Sequence, residues 1–156
     1  MAADLDKIDL TYEVRLERYR YILRQIEANN QNTHRFLALH QTIATSLATA
    51  SIGLFLGYRS WGISPAFARD GLIGLMILLS LAATFAVLLV LAGVFSWMDY
   101  RREECQLVNA IAGADFRAAP RWGSFIRWYE TWVIGFICAS TLAMWILALH
   151  LMAAFE

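Results

Sequence analysis

The chain has 156 residues, of which 59% are hydrophobic and only 17% charged, and its 13 basic and 13 acidic side chains cancel to a formal net charge of zero. Soluble domains carry about a quarter charged residues and fewer apolar ones, so this composition argues against a water-soluble protein and for a small integral membrane protein. Cys105 and Cys138 are the two cysteines, far apart and without metal-ligand spacing, which leaves no basis for a disulfide framework or a bound metal.

Up to Arg35 the chain is polar, with no short apolar run ending in a cleavage site, so no signal peptide is expected. Within it, Leu5, Ile8, Tyr12, Leu16, Tyr19, Leu23 and Ile26 recur at three- and four-residue spacing, which predicts an amphipathic helix over 5–34. Asp4 is the expected cap. Asp6 and Asp9 suit the positive end of the helix dipole, and Glu17 with Arg20 and Arg24 with Glu27 are placed to pair across one turn. The apolar stripe has three readings: packing on the protein's own cytosolic parts, a coiled-coil-like contact between copies, or a helix lying on anionic lipid. Residues 29–34, Asn-Asn-Gln-Asn-Thr-His, are poor helix formers, so a bend before the membrane and an unbroken helix both remain open. His34 and His40 read as hydrogen-bonded polar residues near an interface.

Phe36 to Tyr58 is uncharged and long enough to cross a bilayer core, at about 1.5 Å rise per residue and roughly 20 residues per span. At about 100° per residue, Gln41, Thr42, Thr45, Ser46 and Thr49 fall on one side and Ile43, Leu47 and Leu54 on the other. A hydroxyl and amide stripe of this kind serves either another helix or water. A connector from Arg59 to Asp70 follows, in which Ser64 and Pro65 form a helix start and Tyr58 and Trp61 fit an aromatic belt at the membrane boundary.

Gly71 to Trp97 is the second span, with Ala82 and Ala86 at four-residue spacing and Ala83, Ala92 and Gly93 nearby, small enough to let helix backbones approach. The helix is expected to continue through Asp99-Tyr-Arg-Arg-Glu-Glu104 and Cys105 to a C-terminus at Gly113. The acidic residues of that run neighbour Arg101 and Arg102 and read as a solvated, self-paired charge cluster, or else as a contact for a partner. A loop over 114–120 leads to Ser124, a candidate cap, and then to a third span over 131–155. The expected domains are thus a cytosolic helix, 1–35, and a transmembrane domain, 36–156, whose cytosolic helical segment is 98–130.

Of the 13 Lys and Arg, all but Arg59 and Arg69 lie before the first span or between the second and third. The positive-inside rule then puts the N-terminus and 98–130 in the cytoplasm and the C-terminus outside.

Metalloprotease, nucleophile-elbow and phosphate-loop motifs are missing from the sequence, and no ionisable group other than the Cys138 thiol sits at mid-membrane depth. Neither an enzyme nor a proton relay is expected, nor any cofactor. Three spans enclose no path by themselves. An oligomer does, with Gln41, Thr45 and Thr49 lining a shared axis and Ile52 or Leu56 narrowing it on the same face, because hydroxyls ease hydration and apolar rings gate by dewetting. Intramolecular packing of the same polar stripe is the competing arrangement. Contacts with a partner or a second copy are expected at Tyr12, Leu16, Tyr19, Leu23 and Ile26, and at Arg101, Arg102, Glu103 and Glu104.

The run YEVRLERYRYILRQIEANN entering a Ser/Thr-rich span, then a short connector, a second span and WMDYRREECQLVNAI, resembles the SLATT-like small transmembrane effectors of bacterial antiviral defence systems. The likeness covers residues 5–115 and is one of architecture. The third span, after RWGSFIRWYETW, is an addition to that two-span pattern. The resemblance implies a pore-forming effector of abortive infection in the bacterial inner membrane, responding to a cytosolic sensor or nucleotide-system protein. The expectation is therefore an all-α, multi-pass, homo-oligomeric pore or ion channel in the lipid bilayer, with no direct nucleic-acid binding. The alternative is a non-conducting membrane anchor or accessory subunit for a soluble cytosolic partner.

Overall fold

The computed structural model describes residues 2–113 and 116–153, with side chains from Tyr12 onward apart from those of Ala112, Trp122 and Ser124. Three long helices make up the fold: α1, Ala2–Gly57; α2, Pro65–Ala112; and α3, Tyr129–Ala153, the last preceded by a 3-10 helix, Trp122–Arg127. No strand occurs among the described residues. Each long helix is long and apolar enough to cross a membrane. Leu81, Phe85 and Leu88 on α2 and Trp132, Leu142 and Leu149 on α3 are exposed, Leu81 to 64% and Leu142 to 62%. Apolar side chains presented this densely, away from the packed faces, suit a lipid solvent and not water. The chain is an all-α, multi-pass membrane protein.

Two compact units divide the chain, Met1–Thr33 with Leu91–Arg127, and His34–Val90 with Trp128–Glu156. In the first unit the expected apolar stripe is buried only in part. Ile26 is buried and Tyr19 half-buried, while Tyr12, Leu16 and Leu23 are exposed, and Ile22, which is not on the stripe, is buried. Leu5 and Ile8 lie outside the described side chains, and Asp4 is not the cap, since α1 already begins at Ala2. The asparagine patch lies within α1, so the N-terminal segment and the first span belong to one unbroken helix. Within it, Asn29 Nδ2 donates to the Gly93 carbonyl at 2.8 Å, and Thr33 Oγ1 to the Asn29 carbonyl at 3.3 Å. An amide tied to a neighbouring helix no longer competes for its own backbone. Gly93 permits the approach, since a Cβ there would sit 3.2 Å from Asn29 Oδ1.

The charge run of α2 is self-paired and solvated as expected at Asp99 and Arg102, but not at Glu104. Glu104 is 0% exposed and holds both Arg101 and Arg117, the latter at 2.6 Å. Asn109 completes a latch, accepting from the Arg117 backbone N–H at 2.9 Å and donating to its carbonyl at 3.2 Å. Glu103 instead takes a two-pronged bond from Arg18, at 2.7 and 3.0 Å, and Asp99 lies 3.8 Å from Arg102. Glu17 pairs with Arg20 and Arg24, at 3.6 and 3.0 Å, in place of the expected Arg24–Glu27 pair. As the sequence predicts, α2 ends against Gly113, whose φ of 107° is open to glycine at little cost. The proposed Ser124 cap falls on a side chain outside those described.

In the second unit, Ser64 caps α2 through its hydroxyl, which accepts from Phe67 N–H at 3.3 Å, and Pro65 occupies the first helical position. Asp70 therefore lies inside α2 and not in a connector. Tyr58 is buried, whereas Trp61 is exposed. Two apolar clusters hold the three helices of this unit together. Leu47 and Leu54 of α1 pack on Leu72, Met76 and Leu79 of α2 and on Ala148 of α3, and Ala83, Ala86 and Val90 meet Val133 and Ile137. A polar pin joins α2 and α3, with Trp145 Nε1 donating to Ser80 Oγ at 2.9 Å.

Candidate functional site

The first span carries polar side chains in two directions. His40 and Ser51 turn inward and are buried, as do Leu47 and Leu54 in part, while Gln41, Thr42, Thr45, Ser46 and Thr49 are exposed. Ile52 and Leu56 are exposed on the same side, Leu56 to 73%. The span is thus split as the 100° periodicity predicts, with the exception of its two inward polar residues.

Local bonding grades the exposed polar groups. Thr42 Oγ1 donates to the Ala38 carbonyl and Thr49 Oγ1 to the Thr45 carbonyl, each at 2.9 Å. Back-bonding of this kind satisfies a hydroxyl without a second helix. The Gln41 amide and the Thr45 hydroxyl have no such partner among the described residues.

Beside them, α1 and α3 leave a groove of about 590 Å³ lined by His40, Gln41, Ala44, Thr45, Ala48, Phe136, Ser140, Ala143 and Met144. Alanines at 44, 48 and 143 make the trough, since longer side chains there would fill it. His40 closes one wall, with Nε2 3.4 Å from Ser140 Oγ. Ser140 gives its proton to the Ile137 carbonyl at 3.0 Å, so in the neutral ring it is His40 Nε2–H that donates and Nδ1 that is left as an acceptor. Nδ1 is enclosed without a partner among the described residues. Nearer the helix start, Tyr129 Oη and His34 Nδ1 lie 3.0 Å apart, so both histidines hold α1 and α3 together. Sequence reading gave His40 only a generic polar role. Its place in the seam was signalled by the seven-residue interval Ile26, Thr33, His40, all buried, but Ser140 and Ala143 carried no pattern of their own.

The expected contact residues separate. Tyr12, Leu16 and Tyr19 come together with Val108 and Ile111 around an apolar groove of about 140 Å³, edged by Arg15. Leu23 and Arg102 are exposed and Arg101 and Glu103 half-exposed. Ile26 and Glu104 are buried within the unit, which removes them from any surface offered to a partner.

The three spans and the polar face define a small polytopic α-helical membrane protein. No protein family, curated protein or solved structure matches the chain.

Proposed function

We propose that the protein is a homo-oligomeric pore or ion channel whose axis is lined by the exposed polar face of α1. The observation that carries this reading is the Gln41 amide, exposed within a membrane span and unpartnered among the described residues. An amide facing hydrocarbon without a hydrogen bond costs about 2–7 kcal/mol, and Thr45 adds a second such group. Water along a shared axis satisfies both. Ile52 and Leu56 continue the face as the apolar constriction, and Thr49, already back-bonded, adds a wettable hydroxyl.

In this reading the N-terminus and the segment 98–130 face the cytoplasm, from the distribution of Lys and Arg. Arg18–Glu103 and the exposed Tyr12, Leu16 and Leu23 then belong to a cytosolic region through which a partner acts on the pore. The likeness to SLATT-like effectors supplies the biological role, depolarisation of the bacterial inner membrane in antiviral defence. A catalytic role forms no part of the proposal.

Ion leak from liposomes holding the full chain tests it. Thr45→Phe and Thr49→Phe should suppress leak relative to the parent, and Gln41→Leu should do the same. Unchanged leak across all three removes α1 from the pore. The second reading, a non-conducting anchor, is favoured by the apolar groove at Tyr12 and Ile111, which suits a docked helix. It requires membrane potential to stay intact on expression.

A further inference from the structure

We propose that the groove between α1 and α3 is a binding site for one chain of a hydroxyl-headed amphiphile, drawn from the leaflet on the Gln41 side. The head sits at Gln41 and Thr45, and the tail runs along the spans past Ala48 and Met144. Occupancy stands apart from the pore reading. Only its consequence for conductance rests on that reading, because a seated chain covers the face that must be wetted for ions to pass.

The groove holds its polar side chains in one part of its length. His40, Gln41, Thr45 and Ser140 lie toward one end, with Ala44 and Phe136 among them, and Ala48, Ala143 and Met144 lie toward the other. Both helices run the same way, since α1 residue 34 meets residue 129 of α3 and residue 40 meets residue 140. The polar end therefore lies toward the start of the spans and the apolar end deeper, which is the order of a membrane lipid entering from that leaflet. A second helix of this chain fits less well, because a helix brings side chains along its whole length while the groove is wet at one end only. The volume, about 590 Å³, falls in the usual range for small-molecule sites, about 300–1,000 Å³.

The chemistry of the head follows from hydrogen-bond supply. Gln41 offers an acceptor and two donors, Thr45 a hydroxyl, and neither is used by the chain among the described residues. His40 Nδ1 is an acceptor left without a donor. Together they call for a head that both gives and takes hydrogen bonds without charge, which a glycerol-type hydroxyl does. A phosphate fits poorly, as no cation lines the groove. Nδ1 is enclosed as the ring stands, so the head reaches it only when His40 turns. Occupancy thus leaves a mark on the imidazole.

The test uses the full chain in nanodiscs with two photoreactive probes of equal chain length, a monoacylglycerol and its fully O-methylated counterpart. The monoacylglycerol should label Ala44, Ala48, Ala143 or Met144 above the lipid-facing Leu81 and Phe85, and loading should shift the ring resonances of His40. The methylated probe should label the groove about fivefold less, the weight of one hydrogen bond of about 1 kcal/mol. Gln41→Leu, at an exposed position, should bring the two probes level while leaving the fold intact. Ala48→Phe with Ala143→Phe should abolish groove labelling for both. Equal labelling of groove and lipid-facing residues would reduce the site to bulk lipid. Equal retention of the two probes by the parent would overturn the hydroxyl assignment. Labelling replaced by cross-links between copies would give the groove to a second chain.

Discussion

The buried carboxylate of Glu104 gives the most demanding test of the packing described above. It is wholly enclosed, whereas its partners Arg101 and Arg117 keep side-chain exposures of 28% and 41%. The pair is therefore asymmetric: the arginines can fall back on water, but the carboxylate cannot. Arg117→Ala leaves Arg101 in place and removes one charge-assisted bond, which costs about 1–2 kcal/mol once the exposure of Arg117 is discounted. Arg101→Ala with Arg117→Ala strands the carboxylate, and the loss should rise to about 3–5 kcal/mol, more than twice either single change. Glu104→Gln leaves two half-exposed arginines without a counter-ion and should fall between these values, at about 2–3 kcal/mol. Replacing Glu104 by Leu in the double-arginine background should recover much of the loss, because no charge remains buried.

Denaturant unfolding in mild detergent gives the total. Hydrogen exchange of residues 116–121 gives the local effect, since Asn109 and Glu104 tether Arg117 there. Exchange in this segment should accelerate in Arg117→Ala while that of residues 72–90 stays unchanged. If the double-arginine variant costs no more than the sum of its parts, and Leu at 104 rescues nothing, the carboxylate is solvated and the latch is wrong.

Three further outcomes follow from single contacts. Asn29→Ala should cost about 1 kcal/mol through the lost bond to the Gly93 carbonyl, and Gly93→Ala should cost a similar amount by crowding Asn29. The double variant should cost less than the sum, which a double-mutant cycle in detergent measures. Gly57→Ala puts a Cβ within 2.6 Å of the Trp61 ring and should shift its fluorescence, whereas Trp61→Ala should make the same glycine change neutral. Ser64→Ala removes the cap of α2 and should cost about 1 kcal/mol, read as faster exchange at Phe67 and Ala68.

What the sequence made legible was whatever depends on local chemistry. Uncharged runs mark spans because a charge in hydrocarbon is costly, and Ser64-Pro65 and Gly113 mark ends because their backbone and capping preferences act within one turn. What it hid depends on partners distant along the chain. Glu104 has Arg101 and Arg102 in its own cluster, so a self-paired surface run is the economical reading. The hold that Arg117 takes on it from beyond Gly113 cannot be seen in a local pattern. The stripe through Tyr12, Leu16, Leu23 and Ile26 satisfied the helical period, yet of these only Ile26 is buried, and the seam also takes in Ile22 and Thr33, the second of which a hydrophobicity pattern discounts because it is polar. The asparagines were read as poor helix formers that left a bend open, although Asn29 is fastened to Gly93.

That misreading bears on the candidate site. Polar groups in this chain are used as packing pins wherever a neighbouring helix is available: Asn29 on Gly93, His40 on Ser140, Trp145 on Ser80. Apart from His40 Nδ1, the inward polar groups named here have their contacts, and Ser51 is closed on the Leu47 carbonyl at 2.8 Å. Gln41 and Thr45 are left over after this pairing, on a face their own chain does not cover. An amide held at that depth without a packing role must find water, a head group or another copy, and each leaves a different trace: leak, probe labelling or a cross-link. Gln41→Leu separates them in one variant. It should abolish leak under the pore reading and equalise the two amphiphile probes under the lipid reading. It should strengthen the assembly if Gln41 only faces a neighbouring apolar helix, because a desolvated amide then gives way to a side chain that packs.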